Sequence, residues 1–345
     1  MRSPPVSTNP PPTALVPRLC LGLLVGSALL VPSVYQPCLD IAYAYLYTSP
    51  LYKSSTFETF WTVLCYAIIE PLFTYKFGHN PHLRLAVQND RDNAGPKLPK
   101  LQRPSKRLRE GLTSIAPLLL LDLIMIKKFS GVPVEDMAFS GNYDPNTVAM
   151  RGNFLAPTPH RFTLNSPFQT QRALPLLPPT SRQLALQLAT NLFIYDAVFF
   201  LFHLALHKIS VLRRIHKVHH GHAEINPQTT NQLDVIERLG LVFLANFSLN
   251  IIGSHVLTRT LFVPLFVWLL VEIHSGMDLE WGYDKLLPQG WAAGSKRHSQ
   301  HHQTGTRYYA PFFNWWDNAF ECVAGAQYHE PDSNVQLKSG GSMKP

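Results

Sequence analysis

Long apolar runs, separated by short polar or basic stretches, set the predicted architecture of this chain. The run over 19–39 contains no charged residue, the run over 56–77 is rich in aromatic residues, and further runs cover 112–126 and 184–202. About 20 consecutive apolar residues cross a bilayer as a helix, and no alternation of apolar and polar positions competes with helix here. We therefore predict an all-α membrane protein built as a transmembrane helix bundle with a helical cap on its cytosolic side.

Two later runs and the first one need a closer reading. The runs over 239–257 and 261–273 are shorter, and the second is too short to span, so we predict a hairpin that enters the membrane from the cytosolic side. The run over 19–39 also fits a cleaved signal peptide, because Arg18 precedes it and small residues follow at 26–28. The later apolar runs favour a retained first helix.

Composition divides the chain into segments. The first residues are rich in Pro and Ser, and residues 129–183 carry eight prolines without a long apolar run, which predicts an irregular insertion, functional or mobile, rather than a domain. The predicted organisation is a disordered tail over 1–18, transmembrane helices over 19–128 with a basic cytosolic loop at 78–111, the Pro-rich insertion at 129–183, a C-terminal domain over 184–325, and a flexible tail over 326–345.

Charge supports the membrane assignment. Charged residues make up only 15% of the chain and hydrophobic residues 46%, whereas a soluble domain carries about 25% charged residues. The net charge of +8 is concentrated at 97–109 and 208–217. Both basic groups adjoin apolar runs and lack interleaved aromatic residues, so they indicate cytosolic loops near lipid headgroups rather than a nucleic-acid surface. The four cysteines show no C-x-x-C spacing and are predicted to be free thiols.

Histidines are the strongest chemical signal, because eleven of the fifteen lie between 203 and 302. Residues three or four apart share one face of a helix, so each histidine group presents its imidazoles to one point. Imidazole binds Zn, Cu, Fe and Ni, and one ion rarely takes more than about six ligands, so eight convergent histidines predict a dinuclear metal site in the cytosolic cap. The groups are His203 and His207, then His216, His219 and His220, then His298, His301 and His302.

The remaining histidines are predicted to differ in role. His274 opens His-Ser-Gly after a buried stretch and is favoured as a further ligand, whereas His222 is evenly balanced between ligand and surface residue. His255 lies in an apolar run and is expected to pack. Isolated histidines are rarely ligands, and this applies to His79, His82, His160 and His329.

The histidine motifs and their flanking residues resemble the fatty acid hydroxylase or sterol desaturase superfamily. The matching text is I-H-K-V-H-H at 215–220, E-I-H-S-G at 272–276 and Y-A-P-F-F-N-W-W-D-N-A-F at 309–320, within a resemblance from Asp196 to Phe320. H-K-V-H-H, together with G-S-H-V-L-T at 253–258 and L-L-P-Q-G-W at 286–291, is most similar to the sterol 25-hydroxylase branch.

This resemblance implies a di-iron enzyme of the endoplasmic reticulum membrane, multi-pass, that hydroxylates or desaturates a C–H bond of a sterol or other lipid. The eight motif histidines and His274 would be iron ligands, with no catalytic residue beyond them, and Asp196 and Glu237 would support the ligands. O2 would be the co-substrate, with electrons from NAD(P)H through a reductase and cytochrome b5. The chain has no H-P-G-G haem motif, so the electron donor would be a separate protein.

The chain departs from the family pattern at several positions. Many members carry a further histidine in an A-H-P-x-E segment, where this chain has Asp234 and keeps the acidic position as Glu237. Asp234 is therefore a possible oxygen ligand. Ser299 stands where the third motif usually continues with Asp, Met277 stands where the family often has an aromatic residue, and Glu280-Trp281 stands where it often has Pro-Trp. These departures and the insertion bear on the substrate more than on the chemistry.

Several functions compete on this sequence. On the same scaffold, a C-5-type sterol desaturase or a sphingoid or fatty acyl hydroxylase is the nearest alternative. A zinc-dependent membrane hydrolase or isomerase would use metal-bound water, and a non-catalytic lipid-binding protein would leave the histidines unused, which their intact pattern argues against. A haem protein with two axial histidines does not need adjacent His-His pairs.

Overall fold

The computed structural model describes residues 12–88, 98–102, 107–133, 136–137, 159–222 and 224–324. Within them helices are joined by turns and isolated β-bridges, and no extended strand forms. The predicted all-α fold is therefore confirmed. In the N-terminal half the longer helices are α1 (Pro12–Leu30), α2 (Gln36–Thr48), α3 (Phe57–His79) and α4 (Leu108–Ile124).

The C-terminal half continues the helical pattern. Thr180 caps the first of its helices by accepting a hydrogen bond from the Gln183 amide. The helices are α5 (Ser181–Lys208), α6 (Ser210–His216), α7 (Val235–Ile251), α8 (Val256–Ile273), α9 (Gly294–Thr304) and α10 (Trp315–Ala324). Single helical turns lie at Pro50–Lys53, Leu85–Gln88 and Tyr283–Leu286, and 3-10 turns at Pro32–Val34, Pro81–Leu83 and Pro227–Asn231.

Three sequence predictions need correction. The apolar run over 19–39 is not one helix, because it breaks at Pro32, which lacks an amide hydrogen for a helical bond. Helix α1 begins at Pro12, so the predicted disorder is wrong for residues 12–18, and residues 1–11 lie outside the described part. The run read as 261–273 begins at Val256, because His255 caps it, and α8 reaches 18 residues.

Among the residues that the structure describes, two helices, α5 and α8, are long and apolar enough to cross a membrane. Helices α3 and α8 pack side by side: the Trp61 indole donates to the Thr260 carbonyl at 2.8 Å, and Phe73 contacts Trp268 edge to face. Both pairs advance together along the two helices, so α3 and α8 run parallel. Helix α4 packs on α3 and α7, and α7 packs on α5.

The described part of the Pro-rich insertion packs against the helices. The Tyr43 hydroxyl donates to the Pro175 carbonyl at 2.6 Å, and Leu174 joins a buried cluster with Tyr43 and Phe129. The Gln169 amide donates to the Leu123 carbonyl near the end of α4. The insertion therefore closes one end of the helix bundle.

A buried carboxylate ties these parts together. Glu58, in the first turn of α3, contacts Lys127 at 2.9 Å, Arg172 of the insertion at 3.0 Å and Arg259 of α8 at 3.0 Å. Asp122 of α4 forms a second ion pair with Lys127. Glu58 thus joins segments that are far apart in sequence.

We predict that Glu58→Gln destabilises the fold by about 3–5 kcal/mol, because removing one partner of a buried ion pair leaves the others uncompensated. Asp40→Asn is the control, since Asp40 is exposed on α2, and it should change the free energy of unfolding by less than about 0.5 kcal/mol. Denaturant unfolding in detergent micelles measures both. Equal stabilities for the two variants would contradict the structural role of Glu58.

Candidate metal centre

Helix ends place the histidines. His203 and His207 lie on one face of the last turns of α5, which ends where Ile209 adopts an extended conformation. Helix α6 ends at His216, and His219 and His220 follow in the next turn. His274 follows the last residue of α8. The third motif lies on α9, which ends at Gly305 in the left-handed region.

The nine histidines form two groups. In each group one ring nitrogen per residue lies within 4.8 Å of the others. The larger group combines all three sequence motifs, and the smaller one adds His274 to the second and third. The five-histidine group is His203, His207, His216, His220 and His301, and the four-histidine group is His219, His274, His298 and His302.

The Nε2 atoms face one another within each group. His203 and His216 approach to 3.1 Å, and His207 and His301 also to 3.1 Å. In the four-histidine group, His274 Nε2 lies 3.2 Å from that of His219 and 2.9 Å from that of His298.

The opposite nitrogens, Nδ1, are held by acceptors. His203 Nδ1 lies 2.7 Å from the Tyr309 carbonyl, and His274 Nδ1 lies 2.7 Å from the Leu270 carbonyl. His216 Nδ1 lies 2.8 Å from a Glu237 carboxylate oxygen. Because a carbonyl only accepts, Nδ1 of His203 and of His274 carries the hydrogen, and Nε2 then carries a lone pair. The carboxylate sets the same tautomer at His216.

Facing lone pairs at this distance repel unless a cation lies between them. Protonation does not supply it, because burial lowers the pKa of His216 to about 2 and holds the pKa of His219 and His298 well below the usual range. The donor set is entirely imidazole, which suits Zn, Cu, Fe and Ni rather than Ca or Mg. The geometry therefore fits two transition-metal ions, one in each group.

The two residues predicted to support the ligands make different contacts. Glu237 contacts His216 directly. Asp196 accepts from the Phe312 amide at 2.8 Å and the Phe313 amide at 3.3 Å. Its carboxylate holds the segment that follows Tyr309.

Asp317, which no sequence pattern marked as functional, also holds backbone amides near the histidines. It accepts from the Tyr309 amide at 2.8 Å and from the Ala310 amide at 3.1 Å. Burial raises the pKa of Asp317 to about 6, against these two amide hydrogen bonds. The Arg307 carbonyl lies 2.5 Å from His301 Nδ1. Asp317 thus positions a segment whose carbonyls orient His203 and His301.

The structure leaves both additional ligand candidates outside the two groups. Asp234 caps α7, accepting from the Ile236 amide at 2.8 Å, and His222 is half-buried. His255 caps α8 through its ring nitrogen. His79, His82 and His160 also lie outside the groups, and His329 is outside the described residues.

Gly276 of the E-I-H-S-G segment lets the chain pass close to its neighbours. Its φ is +65°, and a Cβ atom there would collide with the carbonyl oxygen of Ile225. Glycine is therefore required two residues after His274.

A chamber of about 940 Å³ opens beside the histidines. Helices α3, α4, α7 and α8 form its walls, and Val63, Leu118, Leu244 and Phe266 are among its apolar lining residues. No sequence pattern predicts this chamber, because its walls come from helices that are remote from one another along the chain. Four histidines border it: His203, His219, His274 and His298.

Comparison with known proteins bears on the same region. Residues 188–322 match the family model described as fatty acid hydroxylase. Cholesterol 25-hydroxylase-like protein of Danio rerio is 39% identical over 134 residues, which cover 39% of this chain and 53% of that protein. Cholesterol 25-hydroxylase of Homo sapiens is 36% identical over 150 residues, 42% of this chain and 55% of that protein.

A protein of Dictyostelium discoideum named as a candidate methylsterol monooxygenase is 32% identical over 170 residues, 47% of this chain and 58% of that protein. The chain thus spans about half the length of the curated relatives it matches. No solved structure matches the chain. These findings confirm the predicted resemblance to the superfamily and to its sterol 25-hydroxylase branch.

We predict that Glu237→Gln weakens metal binding about 10- to 100-fold, because a neutral amide makes His216 a less basic ligand. Asp234→Asn is the matched control, since Asn preserves the cap of the same helix. The metal retained per chain during titration with a chelator measures both effects. Metal loss in Asp234→Asn equal to that in Glu237→Gln would instead make Asp234 a ligand.

Proposed function

We propose that this chain, which matches the fatty acid hydroxylase family model over residues 188–322, is an O2-dependent di-iron membrane enzyme that oxidises a C–H bond of a sterol or another lipid. The observation that carries the proposal is the facing of buried Nε2 lone pairs in two groups beside an apolar chamber. Hydroxylation is favoured over desaturation, because the similar proteins are named hydroxylases and monooxygenases.

The nine histidines would hold the two ions, five around one and four around the other. Iron bound there would supply the activation of O2 that removal of a hydrogen atom from an unactivated C–H bond requires. The chain supplies positioning: Tyr309, Leu270 and Arg307 fix ring orientations through their carbonyls. Oriented ligands of this kind set both metal affinity and reactivity.

The chamber would hold the lipid next to the four-histidine group. His219, His274 and His298 of that group border the chamber, whereas His203 is the one member of the five-histidine group that does. The four-histidine group would therefore hold the ion that lies nearer the substrate. The apolar walls exclude water, which protects a reactive oxidant from side reactions.

The polar surroundings support a site at the cytosolic face of the endoplasmic reticulum membrane. Lys208, Arg213, Arg214 and Lys217 are exposed next to the histidine motifs, as the positive-inside rule expects for a cytosolic segment. Electrons would come from NAD(P)H through a reductase and a separate cytochrome b5-type donor. The basic surface suits an acidic partner.

Helix α1 supports a retained first segment rather than a cleaved signal peptide. Ser181 donates to the Ala28 carbonyl at 2.9 Å, and Arg182 donates to the Leu29 carbonyl at 2.7 Å. These bonds attach α1 to the start of α5. We place the catalytic domain from Ser181, slightly before the predicted 184, to about residue 325.

A zinc-dependent hydrolase or isomerase is the second candidate, because an all-imidazole donor set also suits zinc. A zinc ion held there would lower the pKa of its water, and the resulting hydroxide would attack an ester or an epoxide without O2. Metal identity and O2 dependence separate the two functions.

We predict that His298→Ala and His301→Ala each abolish product formation, because each removes a ligand from one group. His255→Asn is the matched control: it changes a buried histidine but preserves the helix cap, and it should retain activity. Lipid extracts of cells that express each variant are compared by mass spectrometry for the gain of one oxygen or the loss of two hydrogens.

The purified chain should contain two iron ions and require O2. Zinc without iron, with turnover in the absence of O2, would favour the hydrolase. Unchanged product in both His→Ala variants would favour a non-catalytic lipid-binding protein.

A further inference from the structure

One face of α8 runs the length of the chamber. The chamber-lining residues of α8 recur three or four positions apart, from Arg259 through Phe262 and Phe266 to Leu270, and the face ends at His274. At about 1.5 Å per residue, Arg259 and His274 are roughly 22 Å apart along the helix axis. The chamber is therefore elongated, with histidines at one end.

The opposite end is polar and buried. Glu58, Asp122, Lys127 and Arg259, which we call the far-end cluster, all border the chamber there. Between this cluster and the histidines the walls are mainly apolar. Lys128 is a further buried cation on the same wall.

Arg259 presents a network of polar groups to the chamber. Its Nη1 donates to the Asn250 side-chain oxygen at 3.1 Å, and its Nη2 donates to that of Asn246 at 2.7 Å. Both carboxamides also border the chamber. Arg259, Lys127 and their neighbour Arg172 together meet two carboxylates, Glu58 and Asp122, so positive charge is in excess at this end.

The charged residues that line the chamber nearer the histidines have the opposite balance, with three carboxyl groups, Glu70, Glu110 and Glu237, against two guanidiniums, Arg107 and Arg238. Arg107 pairs with Glu70 at 2.7 Å and with Glu110 at 2.9 Å. An oxygen that accepts hydrogen bonds should therefore bind more favourably at the far end than near the histidines.

A purely structural role explains part of the far-end cluster. Its ion pairs join α3, α4, the insertion and α8. Arg172 serves that role from a position outside the chamber lining, although it bonds the same Glu58 carboxylate as Arg259. Ion pairs that only join the helices would not need Arg259, Asn246 and Asn250 to border an otherwise apolar chamber. The free-energy cost of burying polar groups of this kind is smaller when a hydrogen-bond acceptor pairs with them.

We propose that the far-end cluster, with Asn246 and Asn250, binds the polar end of an amphipathic lipid through an oxygen that accepts hydrogen bonds, either a hydroxyl or an anionic group. The apolar body of the lipid lies along α8. On the proposed function, on which this orientation rests, the oxidised carbon lies at the end remote from the polar group. Residues outside the family segment 188–322, Glu58 and Lys127 among them, then take part in the choice of substrate.

The test measures binding to the purified, iron-loaded full chain in detergent micelles. Three probes share one ring system: cholesterol, cholest-5-ene, which lacks the hydroxyl, and cholesteryl sulfate. The native chain should bind cholesterol or the sulfate about tenfold more tightly than cholest-5-ene, because charge-assisted hydrogen bonds favour the oxygen. The stronger of the two oxygen probes identifies a hydroxyl or an anionic polar end.

Arg259→Met should reduce this preference to about twofold or less, whereas Arg172→Met should keep it. The two variants are matched, because each removes one guanidinium from Glu58 but only Arg259 borders the chamber. If Arg259→Met does not fold, Asn250→Leu tests the same site and leaves every ion pair of Glu58 in place. Unfolding midpoints identify variants that are merely unstable.

Equal affinity of the native chain for all three probes, or binding of none of them, would overturn the proposal. So would an equal effect of Arg259→Met and Arg172→Met on the preference. These binding readouts need no turnover. A chain that lacks iron or O2-dependent product but keeps the preference would therefore contradict the proposed function and leave the far-end site standing.

Discussion

Imidazole lone pairs, buried and turned toward one another, impose the constraint on which the rest of the structure depends. Nε2 atoms in the two groups lie 2.9–3.2 Å apart. Hydrogen bonds from Nδ1 to carbonyls prevent ring flips that would relieve the repulsion. Two cations would relieve it, and metal binding would then be part of the folding free energy. Asp196 and Asp317 follow from the same constraint, since each holds backbone amides of the segment that carries the Tyr309 carbonyl.

The two halves of the chain contribute different things. The family segment supplies the histidines, whereas α3 and α4 of the N-terminal half supply two walls of the chamber. The Pro-rich insertion closes the end of the bundle through Arg172 and its neighbours. On the proposed function, chemistry and substrate choice would be separated in sequence but adjacent in space. The similarity over 188–322 therefore bears on the histidines more directly than on the walls of the chamber.

Sequence spacing predicted the eight motif histidines as one constellation, because i, i+3 and i, i+4 positions share a helix face. His274 was favoured for a different reason, its place after a buried stretch. Spacing does not show backbone acceptors, so the carbonyls of Leu270, Tyr309 and Arg307 were not predictable. Asp234 was read as a possible ligand because of its place in a family pattern, whereas it caps α7. The contact of Glu58 with Arg259 could not be predicted from the sequence, because no local pattern links residues 201 positions apart.

Mössbauer spectroscopy of the full chain loaded with iron-57 tests the central claim most directly, because it counts iron sites and distinguishes their surroundings. Five histidines around one ion and four around the other predict two ferrous signals of equal area with different quadrupole splittings, both with nitrogen ligation. A single iron signal at one ion per chain, or a chain that binds zinc and excludes iron, would contradict the account.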